Sequence, residues 1–296
     1  MCIRDSALIA RESEADRFMM GLLRACADAV LVGSGTMLTS PNGTWRPERV
    51  YPPAAAEFAE LRRRRGRPEW PTVAFVTAGG SFDPTHPALE QQAIILTTEN
   101  AAADLRPSVP AASEVVAVND GDQVDLRKAL ACLRERGHSM ILSEGGPTLF
   151  SSLLASGLAD ELFLTISPQL AGHAVRQRLQ LVEGIELLPD ATVVAPLLSV
   201  RRHDDHLFLR YRLRERTGNQ PRRCSRKAGL VPTKRFSRLR RRFRDDASAA
   251  RGQSACTVDR MRLLRCLLGL ARGRRGLTPE QKRLKQVLQP VNRRRQ

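Results

Sequence analysis

Three short glycine-rich turns follow predicted β-strands, and they are the residues of this sequence best suited to bind a ligand. They are Gly33-Ser-Gly-Thr36, Thr77-Ala-Gly-Gly80 and Glu144-Gly-Gly-Pro147. Backbone N–H groups in such turns are accessible, because glycine has no side chain to cover them. Each motif alone is more often a tight turn than a ligand-binding loop, but three turns at one edge of a sheet are a stronger signal.

The third turn, in the stretch SEGGPTLF, is the most informative. Pro147 suits the first position of a helix, where its missing N–H costs no hydrogen bond. The N–H groups near Gly145 and Gly146, together with the helix dipole, would then form an anion site. Because a carboxylate would repel an anion there, we expect Glu144 to face a neutral ligand or one that donates hydrogen bonds.

The apolar pattern predicts the elements that position these turns. A helix begins at Ser13, and further helices are predicted at 54–65, 125–136 and 147–156. Strands are predicted at 29–32, 72–77, 93–98, 115–118, 139–143, 161–167, about 192–202 and 207–212. We interpret His203-Asp-Asp-His206 as the turn between the last two strands rather than as a metal site, since aspartate favours turns.

Buried strands that alternate with helices predict an α/β fold with three layers, α/β/α, around a mostly parallel central sheet. The last two strands are expected to add a C-terminal antiparallel hairpin at one side. Ligands of such sheets bind at the carboxyl ends of the strands. The glycine turns are predicted to lie at this edge.

Charge is distributed unevenly along the 296 residues, whose formal net charge is +17. Residues 215–296 contain 25 Lys and Arg against 5 Asp and Glu, whereas residues 1–214 contain 23 against 26. We therefore predict a globular domain at 10–214 and a basic tail at 215–296. A non-native extension fits the abrupt change best; the alternatives are a disordered arm that binds nucleic acid and an appended helical element.

Cysteine spacing and apolar runs indicate the compartment. Six scattered cysteines form no CxxC pair, and the chain shows neither a signal-peptide pattern nor an apolar run long enough for a membrane span. We predict a cytoplasmic protein with reduced thiols, without a metal site and without a membrane partner.

Several segments together suggest a family. The order ADAVLVGSGT, ILSEGGPTLF, LADELFLTISPQLAG and HLFLRYRL resembles the dihydrofolate reductase superfamily, and within it the reductase domain of the bacterial riboflavin-biosynthesis deaminase-reductase. The resemblance covers about residues 10–213. It implies an NADPH-dependent reductase of a pyrimidine-like, pterin-like or ribosylamino small molecule, similar to 5-amino-6-(5-phosphoribosylamino)uracil reductase. It is also compatible with a homodimer.

The resemblance implies roles by position. It places NADPH across the carboxyl edge of the sheet, against Gly33, Ser34, Gly35, Thr36, Thr77, Gly145, Gly146, Pro147, Thr148 and Leu149. It places Glu144 and Thr165 on the substrate side. It assigns no catalytic residue, and hydride transfer chiefly needs a dry pocket that holds the nicotinamide against the acceptor carbon.

Two segments depart from the family pattern. The family usually begins with a strand and a loop of Ser-Leu-Asp-Gly type, which MCIRDSALIA lacks. We therefore expect residues 1–9 to be unstructured or a misassigned start and the first strand to be missing, so that an inactive fragment is an alternative. After Met37 the usual acidic pair is absent, and Arg46 or Arg49 is either a phosphate ligand or, as we favour, a solvated arginine.

Overall fold

The structure, a computed structural model, describes residues 13–79, 82–169, 180–187 and 193–213. Its helices are α1 (Glu14–Cys26), α2 (Ser34–Thr39), α3 (Pro47–Val50), α4 (Ala55–Arg64), α5 (Glu99–Leu105), α6 (Leu126–Glu135) and α7 (Pro147–Ala155), with 3₁₀ turns at Pro52–Ala54 and Pro87–Gln91. Its strands are β1 (Ala29–Gly33), β2 (Thr72–Val76), β3 (Ile94–Thr98), β4 (Glu114–Asn119), β5 (Ile141–Ser143), β6 (Glu161–Ile166), β7 (Leu197–His203) and β8 (His206–Arg212). The predictions for residues 1–9 and for the tail from residue 215 lie outside the described residues.

The strands form two sheets. Five parallel strands lie in the order β4-β3-β2-β1-β5, and three antiparallel strands lie in the order β6-β8-β7. The predicted parallel sheet and the predicted hairpin are thus both confirmed. The hairpin pairs with β6, however, so these three strands make a sheet of their own.

Apolar residues cover both faces of the parallel sheet, which gives the fold its three layers. Alternate residues of a strand point to opposite faces, so Val30 and Val32 belong to one core and Leu31 to the other. The first core also contains Met37, Trp45, Val73, Phe75, Leu89 and Ile95. The second packs the sheet against α6 and α7 through Ala74, Leu96, Leu126, Ala129, Leu130, Leu133 and Leu153.

Helix α1 begins where the sequence predicts. Ser13 is its N-cap, and the hydroxyl oxygen accepts a hydrogen bond of 3.2 Å from the N–H of Asp16. The helix buries Ala15, Phe18 and Ala25, and Ala15 packs against Phe208 of β8. Helix α1 is therefore in contact with the antiparallel sheet.

Arg62, in the arginine run at the end of α4, is buried rather than solvated. Its side chain is 1% exposed. Its guanidinium donates to the carbonyl oxygens of Ala27 at 2.6 Å, Pro68 at 2.7 Å, and Arg24 and Ala25 at 3.3 Å each. A buried cation from α4 thus donates to carbonyls at the end of α1, and the Arg24 carbonyl also accepts from the N–H of Ala27 at 3.1 Å.

The segment His203-Asp-Asp-His206 forms the predicted hairpin turn. His203 pairs with His206 in the antiparallel register, and Asp204 between them has a φ of 47°. Asp tolerates this left-handed conformation better than most residues. Among the residues that the structure describes, no cluster of His, Cys, Asp and Glu is arranged to hold a metal ion.

Candidate active site

The three glycine turns lie side by side. Strands β2, β1 and β5 are neighbours, and both pairings of β1 are parallel. Their carboxyl ends therefore meet at one edge of the sheet, where the turns at Gly33–Thr36, Thr77–Gly79 and Glu144–Pro147 begin. Gly80, the last residue of the second motif, lies outside the described residues.

The first and third turns approach each other closely. A methyl group at Gly146 would lie 3.8 Å from Thr36 Oγ1, and one at Gly33 would lie 3.8 Å from Leu149 Cδ2. A methyl group at Gly145 would meet Leu149 Cβ and Cγ at 2.9 Å. Only glycine fits at position 145 without displacing the first turn of α7.

The start of α7 is the best candidate for an anion site. Gly146 is its N-cap and Pro147 its first residue, and no side chain caps the helix. Ser13, Thr98 and Asp125 cap α1, α5 and α6 with side-chain oxygens, whereas α2, α3 and α4, like α7, have no side-chain cap. The first-turn N–H groups of α7 thus have no side-chain acceptor, and an anion could bind them.

Thr77 lies on the other side of β1, at the end of β2. Its carbonyl oxygen accepts a hydrogen bond of 2.7 Å from the Thr97 hydroxyl. Its own hydroxyl oxygen is buried and has no hydrogen-bond partner within the described ranges. A buried polar atom without a partner is costly, so this hydroxyl could accommodate a polar ligand group.

Glu144 is bound by Arg24, a residue that the sequence prediction did not include. Arg24 Nε donates to Glu144 Oε1 at 2.7 Å and Arg24 Nη2 to Oε2 at 2.7 Å, and the side chains are only 14% and 10% exposed. Burial lowers the pKa of Arg24, but the charge of Glu144 and the hydrogen bond to it outweigh burial and raise that pKa above its ordinary value. The donor that the Glu144 carboxylate meets thus belongs to the protein, whereas the sequence led us to expect a ligand. Its substrate-side role stays a prediction.

The position of Arg24 on α1 indicates a partly buried cation but does not identify its partner. Gly21 and Ala25 are buried on α1, so the residue just before Ala25 borders the buried stripe of the helix. A cation in that position needs a buried counter-ion. The sequence does not show which acid supplies it, because Glu144 is 120 residues away.

Arg46 is held within the protein. Its Nε donates to Gln91 Oε1 at 2.6 Å, and its guanidinium carbon lies 3.5 Å from the ring centroid of Trp70. Its carbonyl oxygen accepts a hydrogen bond of 3.5 Å from Arg24 Nη1. Arg46 is therefore only partly exposed, whereas Arg49 is exposed, and a phosphate-binding role for either stays a prediction.

The remaining predicted residues lie in several places. Ser34 is the first residue of α2, directly after β1, and Thr148 is exposed in the first turn of α7. Thr165 lies on β6 and pairs with Phe208, so it belongs to the antiparallel sheet. Its assignment to the substrate side stays a prediction.

No helix among the described residues is long and apolar enough to cross a membrane. Cys26 and Cys132 are both free thiols. Burial, the largest influence, raises the pKa of each thiol despite nearby arginines. Neither thiol is therefore an activated nucleophile.

Comparison with known proteins supports the resemblance. Residues 4–194 match the family model of the RibD C-terminal domain. The chain is 30% identical over 162 residues to the 2,5-diamino-6-ribosylamino-4(3H)-pyrimidinone 5′-phosphate reductase of Archaeoglobus fulgidus, covering 54% of this chain and 70% of that one. It is 33% identical over 102 residues to the reductase of the same name from Methanothermobacter thermautotrophicus, covering 34% of this chain and 47% of that one.

Solved structures show the same fold. A pyrimidine reductase-like protein from Corynebacterium diphtheriae matches with a TM-score of 0.55 and 21% identity, covering 71% of this chain and 85% of that one. RibD of Acinetobacter baumannii matches with a TM-score of 0.52 and 18% identity, covering 69% of this chain and 51% of that one. The predicted dihydrofolate reductase-like fold is confirmed, and the chain belongs to the RibD C-terminal domain family.

Proposed function

We propose that this protein is an NADPH-dependent reductase of a ribosylaminopyrimidine phosphate. The arrangement of the glycine turns at Gly33 and Gly145–Gly146 around the uncapped start of α7 is the observation on which the proposal rests. The names of the two relatives supply the substrate class. NADPH rather than NADH, and a second copy of the chain as partner, follow from the family resemblance.

The residues at the sheet edge fit a dinucleotide. Backbone N–H groups at the start of α7 suit a phosphate, and the absence of a side chain at Gly146 leaves space next to them. The unpartnered Thr77 hydroxyl on the far side of β1 would meet a polar group of the same ligand. A ligand that spans β5, β1 and β2 would touch all three turns.

A bound nicotinamide would supply a hydride to a carbonyl or imine carbon of the ribosyl group, and a proton would complete the reduction. The protein then has to hold the cofactor and the substrate in place and to exclude water. The backbone turns would fix the cofactor. Glu144, held by Arg24, and Thr165 would face the substrate.

Gly146→Ala tests the cofactor site with little disturbance of the protein. Its φ of −69° suits alanine, and the new methyl would meet Thr36 Oγ1 at an ordinary contact distance of 3.8 Å. The methyl would, however, fill the space proposed for the phosphate. We expect NADP⁺ affinity, measured by titration calorimetry, to fall at least about tenfold with little change in unfolding temperature.

Gly121→Ala is the matched control. Gly121 is exposed after β4, the edge strand that is three strands away from β1. We expect this variant to bind NADP⁺ as the wild type does. A wild-type chain that is folded but binds neither NADP⁺ nor NADPH would refute the proposed function. Oxidation of NADPH, followed at 340 nm with the ribosylaminopyrimidinone phosphate and compared with NADH, then tests substrate and cofactor choice.

A further inference from the structure

A buried negative charge directly precedes the turn proposed to bind an anion. The side chain of Glu144 is 10% exposed, so water and salt screen its charge poorly. The chain continues from Glu144 into Gly145, Gly146 and the start of α7. An unpaired carboxylate here would oppose the binding of a phosphate at the same turn.

Arg24 is fixed so that it meets this charge with two parallel hydrogen bonds. Its Nε and Nη2 each donate to one Glu144 oxygen at 2.7 Å, which is the strong bidentate geometry of arginine and carboxylate. Its third nitrogen, Nη1, lies 3.5 Å from the Arg46 carbonyl. Its own carbonyl accepts from Arg62, which lies buried behind it.

The carboxylate is not needed to pair β5 with β1. The backbone N–H of Glu144 donates to the Leu31 carbonyl at 3.0 Å, and this bond does not involve the side chain. The ladder continues through Ala29↔Ile141 and Val30↔Leu142. The ion pair therefore neutralises the charge of the Glu144 side chain and is not needed to align β5 with β1.

We propose that Arg24 is a positioning residue that neutralises Glu144 and thereby makes the Gly145–Gly146 turn receptive to a phosphate of the cofactor. The inference rests on the proposed function, because it assumes an anionic ligand at this turn. It assigns Arg24 no contact with substrate or cofactor.

Replacing Arg24 removes the partner of the Glu144 charge. In Arg24→Met, Glu144 loses the two hydrogen bonds and the positive charge that Arg24 supplies. Its carboxylate then repels an anion at the adjacent turn. Anion affinity of this variant should therefore fall below that of the wild type.

The experiment measures binding of NADP⁺ and of inorganic pyrophosphate by titration calorimetry at pH 8, on the full chain. At pH 8 we expect Arg24→Met to weaken both ligands at least about tenfold. The double variant Arg24→Met/Glu144→Gln should restore both affinities to within about threefold of the wild type. Arg24→Lys, which keeps the charge, should bind more tightly than Arg24→Met.

Glu144→Gln alone keeps the inference testable if Arg24→Met does not fold. It removes the negative charge and retains the cation, so pyrophosphate should bind at least as tightly as to the wild type. Turnover is not the readout, because Glu144 is also predicted to face the substrate. Circular dichroism and unfolding temperature establish that each variant is folded.

The outcomes separate the inference from the proposed function. Wild-type affinity in folded Arg24→Met at pH 8, or no recovery in the double variant, overturns the inference alone. A wild-type chain that binds pyrophosphate but not NADP⁺ overturns the proposed function. In that case the pyrophosphate affinities of the variants still decide whether the inference about Arg24 holds. A wild-type chain that binds neither ligand overturns both.

Discussion

Gly145 and Gly146 are adjacent, but a side chain would have different effects at the two positions. At Gly145 a methyl group would press against Leu149 in the first turn of α7, whereas at Gly146 it would only touch Thr36 Oγ1. The first glycine is therefore required for packing within the protein. The second leaves space next to the helix start, which is where we propose the ligand.

Gly145→Ala should therefore destabilise the protein, because Leu149 and the start of α7 must move to admit the methyl group. We expect a loss of about 1–3 kcal/mol in unfolding free energy, measured by urea denaturation. Gly146→Ala is the control and should cost less than about 1 kcal/mol. Equal losses in the two variants would contradict the packing difference.

The position of these glycines directly after strands could be predicted from the sequence, because a glycine that follows an apolar run is a local pattern. The role of Pro147 as the first residue of a helix was equally accessible. Arg24 was not, since its ion pair joins residues 120 positions apart. Local spacing indicates that a buried arginine needs a counter-ion, but only the assembled fold identifies Glu144.

At the scale of elements, α4 holds the end of α1 through one buried side chain. Arg62 donates to four carbonyl oxygens, and burial, followed by the charge of Arg67, lowers its pKa to about 10. Helix α1 in turn supplies Arg24 to the candidate site. A structural arginine on α4 thus supports the residue that meets Glu144.

Arg62→Ala should remove the guanidinium donor from these carbonyls and cost about 2–4 kcal/mol in unfolding free energy. The neighbouring Arg63 offers a matched control, because its side chain is 74% exposed and pairs with Glu60 on the surface. We expect no measurable change for Arg63→Ala. Chemical denaturation of the two variants tests this, and comparable losses would show that the exposed arginine is as important as the buried one.

Asp28 joins the starts of β1 and β5 and gives the fold an acid-sensitive contact. Burial opposes its ionisation, but hydrogen bonds from Met140 N–H at 2.7 Å and from the Ser139 hydroxyl at 3.0 Å, together with the charge of Arg67, outweigh burial. The pKa of Asp28 therefore lies below its ordinary value. The contact stabilises the fold above the unfolded-state pKa of about 4, and this contribution is lost as the pH falls through the folded-state pKa.

Asp28→Asn should therefore lower the unfolding free energy at pH 7. The difference in unfolding free energy between Asp28→Asn and the wild type should become smaller below about pH 4, because the wild type loses the charged contact as well. Urea denaturation between pH 3 and pH 7 measures the difference. Asp104→Asn, at an exposed position of α5, is the control, and a deficit for Asp28→Asn that does not change with pH would contradict the assignment.

The sequence predicted most elements and the parallel sheet, but it did not predict which strand the C-terminal hairpin joins. Apolar alternation shows which face of a strand is buried. It does not show which edge receives a neighbour. The pairing of β8 with β6, from Glu161↔Arg212 to Ile166↔Leu207, depends on the packing of complete sheets.

At the scale of the whole molecule, the distribution of charge separates the domain from the tail. The excess of basic residues lies at 215–296, outside the described residues, whereas residues 1–214 are close to neutral. Attraction between a basic segment and a polyanion is independent of sequence and weakens steeply with salt. Any binding of nucleic acid by this chain is therefore expected to depend on the tail.

Deleting residues 215–296 should abolish retention on immobilised double-stranded DNA at low salt and leave NADP⁺ affinity unchanged. The full chain should elute from the DNA as salt is raised. Undiminished retention of the shortened chain would place the interaction in the domain instead. Loss of NADP⁺ binding in a shortened chain that is still folded would show that the tail contributes to the candidate site.

The position of β1 between β2 and β5 also determines when the site can form. Ala29 lies beside Thr72 on one side and beside Ile141 on the other, and the second pairing closes a loop of about 110 residues. Such distant pairings form slowly and late, both in refolding and during synthesis. The glycine turns at Gly33 and at Gly145–Gly146 therefore meet only when most of the domain has folded. Recovery of nucleotide binding would then come after the burial of Trp45 in the core rather than together with it.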